Sequence, residues 1–273
     1  MIVVFGAGGL LGSHLCALYP QETIAIDHKS CNIANPYEVH HVISSYKPEA
    51  VINCAGVVPK AQSYHAGQWL DVYRINACAP RWIREVCDEC GVKLVQMSTN
   101  CVFSGKKGDR TETDIPNPRD MYGMSKFLGE ITDYPHLTVR TSFIGYPDPK
   151  GRGLLAWFKD APNPVPGYMQ TWWNGITTVA LAMLLMETLI PRLATGLVHV
   201  YNEHTICKGE LLQIVNRVYD WHKEIIPTDE PRAFTTLLSD RARVFSIDTS
   251  YQQLIEEMRA KESILRSYIA ALV

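Results

Sequence analysis

The first 27 residues constrain the fold more tightly than any other stretch. Ile2-Val3-Val4-Phe5 is a short apolar run of β-branched and aromatic residues, cut off sharply by Gly6, and it reads as a buried strand. Gly6-Ala7-Gly8-Gly9-Leu10-Leu11-Gly12 follows, and Ser13 to Leu18 continues as a helix. A second apolar run, Thr23 to Ile26, ends in Asp27. Strand, glycine turn, helix, strand and acid, in that order, is what binding a dinucleotide requires. Gly6 permits the tight turn, a central glycine lets backbone N–H groups approach a pyrophosphate, and Gly12 lets the helix pack closely on the strand. The helix N-terminus then faces the phosphates with its partial positive charge. Asp27 stands where a carboxylate can accept bonds from the adenosine ribose. The glycine spacing is G-x-x-G-x-x-G with Gly8 as an extra, so an ordinary βα turn competes with this reading of the stretch alone. The stretch does not read as a secretory leader, because it has no basic segment and glycines interrupt its apolar part.

With 273 residues, of which 47% are apolar and 20% charged, the chain can build one large α/β unit or a main domain with a small satellite. A formal charge of -2 gives no reason to expect nucleic acid or an anionic membrane as partner. The longest apolar segment, Val179 to Leu185 with an extension to Ile190, is too short to span a bilayer. Eight cysteines without a framework fit a reducing cytoplasm. Cys87 and Cys90 form one C-x-x-C at the end of a predicted helix, with no second pair to complete a metal site, so no metal is expected.

Further strands are predicted at Ala50 to Asn53, Val92 to Met97 and Leu137 to Thr141. Helices are predicted from Asn35-Pro36 to Tyr46, from about Tyr64 to Cys90 with a break or kink at Pro80, and from Asp120 to about Thr132. This alternation predicts an α/β fold of the Rossmann type, a doubly wound parallel sheet over residues 1–145. After Phe143 the texture changes, and Tyr146 to Pro166 is rich in proline and glycine. Val165 to Trp173 reads as an irregular or strand segment with exposed aromatics. Thr177 to Ile190, Lys208 to Trp221 and Ser250 to Leu272 read as helices, and Leu197 to Tyr201 as a strand. Residues 146–273 are expected to form mainly a smaller substrate-binding cap, with the helix at 177–190 returning to the sheet.

Three polar pieces fall at carboxyl ends of predicted strands: the glycine turn, Asn53-Cys54-Ala55-Gly56, and Ser98-Thr99-Asn100. In open α/β sheets that edge binds ligands. Tyr122 and Lys126 are four apart on a helix and so share a face. A nearby ammonium is expected to lower the tyrosine pKa and fit it for proton exchange with a carbonyl oxygen, which Thr99 can also hydrogen-bond. Alone, such a pair is usually plain helix surface.

Together, Gly6-x-x-Gly9-x-x-Gly12, Asn53 to Gly56, Ser98-Thr99 and Tyr122-x-x-x-Lys126 resemble the pattern of the extended short-chain dehydrogenase/reductases. Ser98-Thr99-Asn100-Cys101-Val102-Phe103-Ser104-Gly105 is similar to the S-T-D-Y-V-F-x-G segment of the dTDP-4-dehydrorhamnose reductases and related sugar-nucleotide reductases. Tyr122 to Lys126 and Arg140-Thr141-Ser142 are similar to their Y-G-x-[ST]-K and R-T-S. The likeness covers roughly the first 145 residues. It implies hydride transfer from a reduced nicotinamide to the C4 keto group of a nucleotide-linked deoxysugar. Tyr122 would give the proton, Lys126 would bind the nicotinamide ribose and tune Tyr122, and Thr99 would polarise the keto oxygen. It further implies cofactor contacts from Gly6, Gly8, Gly9, Leu10, Leu11, Gly12, Asp27, Asn32, Ile33, Cys54, Ala55, Gly56, Asn76, Tyr122 and Lys126. Asp27 favours NAD(H), and the neighbouring His28 and Lys29 leave room for NADP(H). Substrate contacts are expected from Thr99, Asn100, Trp157 and Arg241, with Arg152, Arg232 and Arg243 as other cations for a pyrophosphate, and self-association, if any, as a homodimer.

The departures from the pattern carry information. Asn100 and Cys101 stand where the related 4,6-dehydratases have an acidic pair, which argues against dehydration. Cys101 falls where the GDP-fucose synthase type uses a cysteine for epimerisation, but Phe143 to Pro164 holds no histidine partner, so a small core cysteine is expected. Lys60 stays without a role. The rival readings are an epimerase or epimerase/reductase on the same fold, and a non-catalytic reductase-like subunit such as the regulatory subunit of methionine adenosyltransferase.

Overall fold

The computed structural model describes residues 1–59, 66–151, 153–241 and 245–272. Lys60, Tyr64, Arg152 and Arg243 lie outside them. In chain order the first part comprises β1 (Ile2–Phe5), α1 (Leu10–Leu18), β2 (Thr23–Ile26), α2 (Pro36–Tyr46), β3 (Ala50–Asn53), α3 (Ala66–Tyr73), α4 (Ala79–Cys90), β4 (Lys93–Met97), α5 (Met121–Leu128) and β5 (Leu137–Thr141). There follow β6 (Phe143–Ile144), α6 (Gly153–Asp160), β7 (Val165–Tyr168), β8 (Thr171–Trp173), β9 (Ile176–Thr177), α7 (Thr178–Leu184), β10 (Gly196–Asn202), β11 (Ile206–Cys207), α8 (Lys208–Tyr219), β12 (Ile225–Thr228), β13 (Ala233–Phe234), β14 (Ser246–Ile247), α9 (Tyr251–Ala260) and α10 (Glu262–Ala271).

Seven strands form one sheet in the order β14-β10-β5-β4-β3-β1-β2, and every pairing in it is parallel. Alternate side chains of a strand point to opposite faces. Val4, Ile52, Val95 and Val139 therefore join one core with α1, α7 and the turn after α7, through Leu15, Leu181 and Leu185. Val3, Phe5, Val51 and Leu94 join a second core with α2 and α4, through Ile43 and Ile83. Burial on both faces explains the unbroken apolar runs in β1 and β3, which would be half polar in a one-sided sheet. The direction of winding reverses between β1 and β3. That gap is the crevice where an open α/β sheet takes its ligand.

The long helical region departs from the expected single kink. A π-helical turn at Arg74–Cys78 joins α3 to α4, one turn before Pro80. Proline has no N–H to bond the carbonyl four residues back, here that of Asn76. Gly129 packs against that carbonyl so closely that a Cβ there would lie 1.9 Å from the oxygen.

Beyond residue 145, α7 packs on the sheet, and β10 and β14 extend it past β5. Two smaller sheets, β12-β7 and β11-β8-β13, build the rest of this part around a third core that includes Phe158, Trp173, Leu211 and Tyr251. Trp173, expected among exposed aromatics, is buried, and its indole N–H donates to Ser142 Oγ at 2.7 Å. Among the described residues no helix is long and apolar enough to cross a membrane, and no group of side chains is placed to hold a metal ion.

Candidate active site

The glycine turn adopts the geometry its sequence demands. Gly6 has φ +80°, and a Cβ there would lie 2.5 Å from the Ala55 nitrogen on the loop after β3. A Cβ on Gly12 would lie 2.4 Å from the Gly6 oxygen, so α1 can approach β1 this closely only with glycine. Gly8 meets nothing nearer than the Asp27 Cβ at 3.8 Å, which keeps that side of the turn open. The N-cap of α1 is Gly9, without a side-chain hydrogen bond. The first-turn N–H groups therefore stay available to an anion. A cavity of about 450 Å³ lies over this turn, lined by Gly6, Gly8, Gly9, Asp27, Asn32, Ile33, Cys54, Ala55 and Gly56. Its shape and donors suit the adenosine half of a dinucleotide.

Asp27 is partly committed to its own loop. Its Oδ1 accepts from Ser30 Oγ at 2.7 Å, Ser30 N at 2.9 Å and Lys29 N at 3.0 Å. Those bonds, led by the Ser30 hydroxyl, hold its pKa below the usual value and leave Oδ2 for a ribose. Asn32 turns its Oδ1 back to Ala34 N at 3.1 Å while lining the same cavity. His28 and Lys150 line it as well, and Lys150 brings a positive charge to it. Lys150 comes from the loop after β6, which His14 pins down. The buried His14 ring lies 2.7 Å from the Pro147 carbonyl and 2.7 Å from Thr178 Oγ1. A carbonyl can only accept, so His14 Nε2–H donates to it and Nδ1 accepts from the threonine.

A second cavity, about 470 Å³, shares Gly9, Cys54, Ala55 and Gly56 with the first and runs on to Leu10, Leu11, Ser98, Tyr122 and Lys126. The two make one trough along the crevice, from Asp27 to Tyr122. Asn76, on the π-helical turn, clamps its middle. Its Oδ1 accepts from Val57 N at 2.8 Å, and its Nδ2 donates to Val57 O at 2.8 Å and Ser125 Oγ at 3.1 Å. Asn76 thus ties the loop that carries Gly56 to α5.

Asp120 caps α5 by accepting from Gly123 N at 2.8 Å, which sets Tyr122 and Lys126 on the face toward the trough. Lys126 is buried, and its ammonium donates to the Met97 carbonyl at 2.7 Å, beside Gly56. Burial lowers its pKa to about 8, with Glu130 opposing the shift. Tyr122 differs from expectation. Burial raises its pKa above the ordinary tyrosine value, and only the Thr99 hydroxyl pulls the other way. The ammonium is bonded to a backbone carbonyl, so in this state Tyr122 holds its proton firmly. Behind these groups, Glu130 accepts from Ser98 Oγ at 2.7 Å and from the Arg140 guanidinium through two bonds of 2.8 Å. The pair is almost wholly buried.

The Lys126 shift carries a stability signature. The folded protein loses this proton near pH 8, whereas the unfolded chain keeps it to about 10.5. Between those values the unfolded chain binds more protons, so this site's contribution to stability rises with pH. The rise is expected to reach roughly 3 kcal/mol over the full window. Urea titrations at pH 7.5 and pH 10 on wild type and Lys126→Met check it. Other groups cancel in the comparison, and the variant should lack the extra alkaline gain.

Three expected site residues behave differently. Arg241 donates to Thr195 O at 2.9 Å and packs over Gly196, at the amino end of β10 and away from the glycine turn. Trp157 sits on the exposed face of α6, 44% accessible, and lines neither cavity. Asn100 spends its Nδ2 on Thr235 O at 2.9 Å, joining the Thr99 turn to the loop after β13, and lies outside the trough, lining a third cavity with Cys101. Cys101 is not a core residue: it is a free, exposed cysteine. The 3-10 turn Asn100–Val102, capped by Thr99 Oγ1 accepting from Cys101 N, turns it out of the core. It lines this third, smaller cavity of about 230 Å³ together with Phe143, Trp173 and Lys208. Lys208 had no signal in the sequence, being a single lysine at the start of an amphipathic helix.

Residues 1–229 match the family model described as the RmlD substrate binding domain. The chain belongs to this family. Among curated relatives of this RmlD-family chain, the spore coat polysaccharide biosynthesis protein SpsK of Bacillus subtilis is 34% identical over 152 residues, 52% of this chain and 53% of its own. The dTDP-4-dehydrorhamnose reductase of Escherichia coli is 34% identical over 157 residues, 52% of this chain and 51% of its own. The chain thus spans about half the length of these curated relatives in the matched part. A solved dTDP-4-dehydrorhamnose reductase of Bacillus anthracis, in complex with NADP, superposes with a TM-score of 0.80 at 22% identity, covering 95% of this chain and 98% of that one. That likeness extends the shared fold across both parts of the chain.

Proposed function

We propose that this chain reduces the C4 keto group of a nucleotide-linked deoxysugar with NAD(P)H, in nucleotide-sugar and cell-surface polysaccharide biosynthesis. The observation that carries the proposal is the single trough at the strand-order reversal, with a phosphate-ready glycine turn at one end and Tyr122 and Lys126 at the other, the Thr99 hydroxyl lying against Tyr122. When bound there, the reduced nicotinamide supplies a hydride. The chain's own residues align and protonate. The glycine turn and the α1 N-terminus hold the pyrophosphate, and Asp27 Oδ2 takes the adenosine ribose. Lys126, freed from Met97 O, takes the nicotinamide ribose. Thr99 Oγ1 and the Tyr122 phenol meet the keto oxygen. Tyr122 keeps its proton until negative charge grows on that oxygen, then passes it over, and the approach of Lys126 eases the transfer.

The test follows oxidation of NADH and NADPH with dTDP- and UDP-linked 4-keto-6-deoxyhexoses, with the products read by NMR. The reading fails if none of these sugars is reduced by protein that binds the cofactor tightly. The exposed Cys101, near Tyr122, favours a second reading as an epimerase/reductase. Inversion at C3 or C5 of the product would identify it.

Asp27 sets the expected cofactor choice, NAD(H) with tolerance of NADP(H). Its carboxylate opposes a 2′-phosphate, and His28 and Lys150 in the same cavity soften the exclusion. Asp27→Ser should raise the NADPH/NADH ratio of kcat/KM by about tenfold or more, the size of one removed charge repulsion. An unchanged ratio would show that Asp27 does not read the ribose.

A further inference from the structure

The third cavity holds a cation that no other part of this account uses. It lies between the Thr99 turn and α8, with Cys101, Ser142, Trp173 and Thr235 on its walls. Among the described residues, Lys208 is the only one of its lining residues that is charged at neutral pH. Its side chain is half-buried, and among the described residues no hydrogen bond or ion pair satisfies its ammonium. A cation partly removed from water without a partner is destabilising, and proteins seldom keep one without a use. Among the described residues, the two arginines expected to meet a substrate pyrophosphate do not compete for the role. Arg241 points to the opposite sheet edge, and Arg232 bonds Glu230 at the surface. Cys101 connects the cavity to the reacting end, since its thiol lies near both Lys208 and Tyr122.

We infer that this cavity is a substrate subsite in which Lys208 binds an oxyanion of the ligand, the diphosphate of a sugar nucleotide. The inference rests on the reductase reading only for where the sugar lies. A lysine ammonium is a compact point charge with three donors, suited to phosphate oxygens. Burial lowers the Lys208 pKa, and a diphosphate alongside would restore it, so binding should be tighter below the free-state pKa.

The test is calorimetry of dTDP, UDP, thymidine, uridine and glucuronate against NADH-loaded wild type, Lys208→Met and Lys208→Arg. Lys208→Met keeps the aliphatic stem and deletes the charge. The expected result is a loss of nucleoside diphosphate affinity of about 10–100-fold in Lys208→Met, the size of a lost charge-assisted bond. Lys208→Arg should recover most of it, the two nucleosides should bind all three proteins alike, and NADH affinity should not move. Equal diphosphate affinity in wild type and Lys208→Met overturns the inference, as does failure of wild type to bind either diphosphate. So does an equal loss for nucleosides and diphosphates, which would make Lys208 a packing residue. Glucuronate binding lost in Lys208→Met while dTDP and UDP binding persists would move the oxyanion to a sugar carboxylate and also overturn it. The two readings fail separately. A charge-dependent diphosphate site can exist in a protein that reduces no keto sugar, and a working reductase can be indifferent to Lys208.

Discussion

Tyr122→Phe is expected to lower turnover by about 10²–10⁴-fold, the usual contribution of a positioned acid. The substitution removes one oxygen and keeps the ring, so the packing of α5 survives. Affinity for NADH should stay close to wild type, because the pyrophosphate rests on the glycine turn and the riboses on Asp27 and Lys126. The loss should therefore fall on kcat and not on cofactor binding. Steady-state kinetics with a 4-keto sugar nucleotide, alongside fluorescence titration of NADH, separates the two. Full activity in Tyr122→Phe would mean that the reacting oxygen lies elsewhere, however right the fold.

Glu130→Gln is expected to destabilise the fold strongly. Glu130 and Arg140 have side chains only 5% and 3% accessible, and two bonds of 2.8 Å join them. Neutralising Glu130 leaves the guanidinium buried without a counter-charge, at a cost of about 3–5 kcal/mol. In a chain of this size that corresponds to a fall in Tm of roughly 10 °C. It also loosens Ser98, whose hydroxyl donates to Glu130 beside Thr99. Thermal unfolding of Glu130→Gln and of the double variant Glu130→Gln with Arg140→Met checks the cause. The double variant should recover part of the loss, since it removes the stranded charge. A single variant within about 1 kcal/mol of wild type would mean that water reaches the guanidinium and that the pair matters little.

Much of this was legible in the sequence wherever the signal is local. The glycine turn, the apolar runs of β1 to β5, the Asn35-Pro36 start of α2 and the four-residue step from Tyr122 to Lys126 each lie within one element. The joint between α3 and α4 was only half legible. Pro80 announced a break, but the π-helical turn at Arg74–Cys78 answers to Asn76 reaching Val57 and Ser125, which are distant in sequence. The cations were the least legible. Arg241 and Lys208 look alike in a string of letters. Which one lines a cavity beside the Thr99 turn depends on where its backbone lies in the assembled topology. Cys101 was misjudged for a similar reason: its exposure comes from a single 3-10 turn that no periodicity reveals. The Tyr122 pKa was misread because the Lys126 ammonium, expected to act on the phenol, is bonded to Met97 O.

In the proposed reaction, the trough delivers a hydride to the C4 carbon of a sugar. The direct measurement is isotope transfer. Wild-type protein is given reduced nicotinamide dinucleotide deuterated at the nicotinamide C4, together with a dTDP- or UDP-linked 4-keto-6-deoxyhexose, and the product is read by NMR and mass spectrometry. One deuterium is expected at sugar C4 from one face of the nicotinamide, and none detectable with Tyr122→Phe over the same time. A product without deuterium at C4, or no product from protein saturated with the dinucleotide, would contradict it.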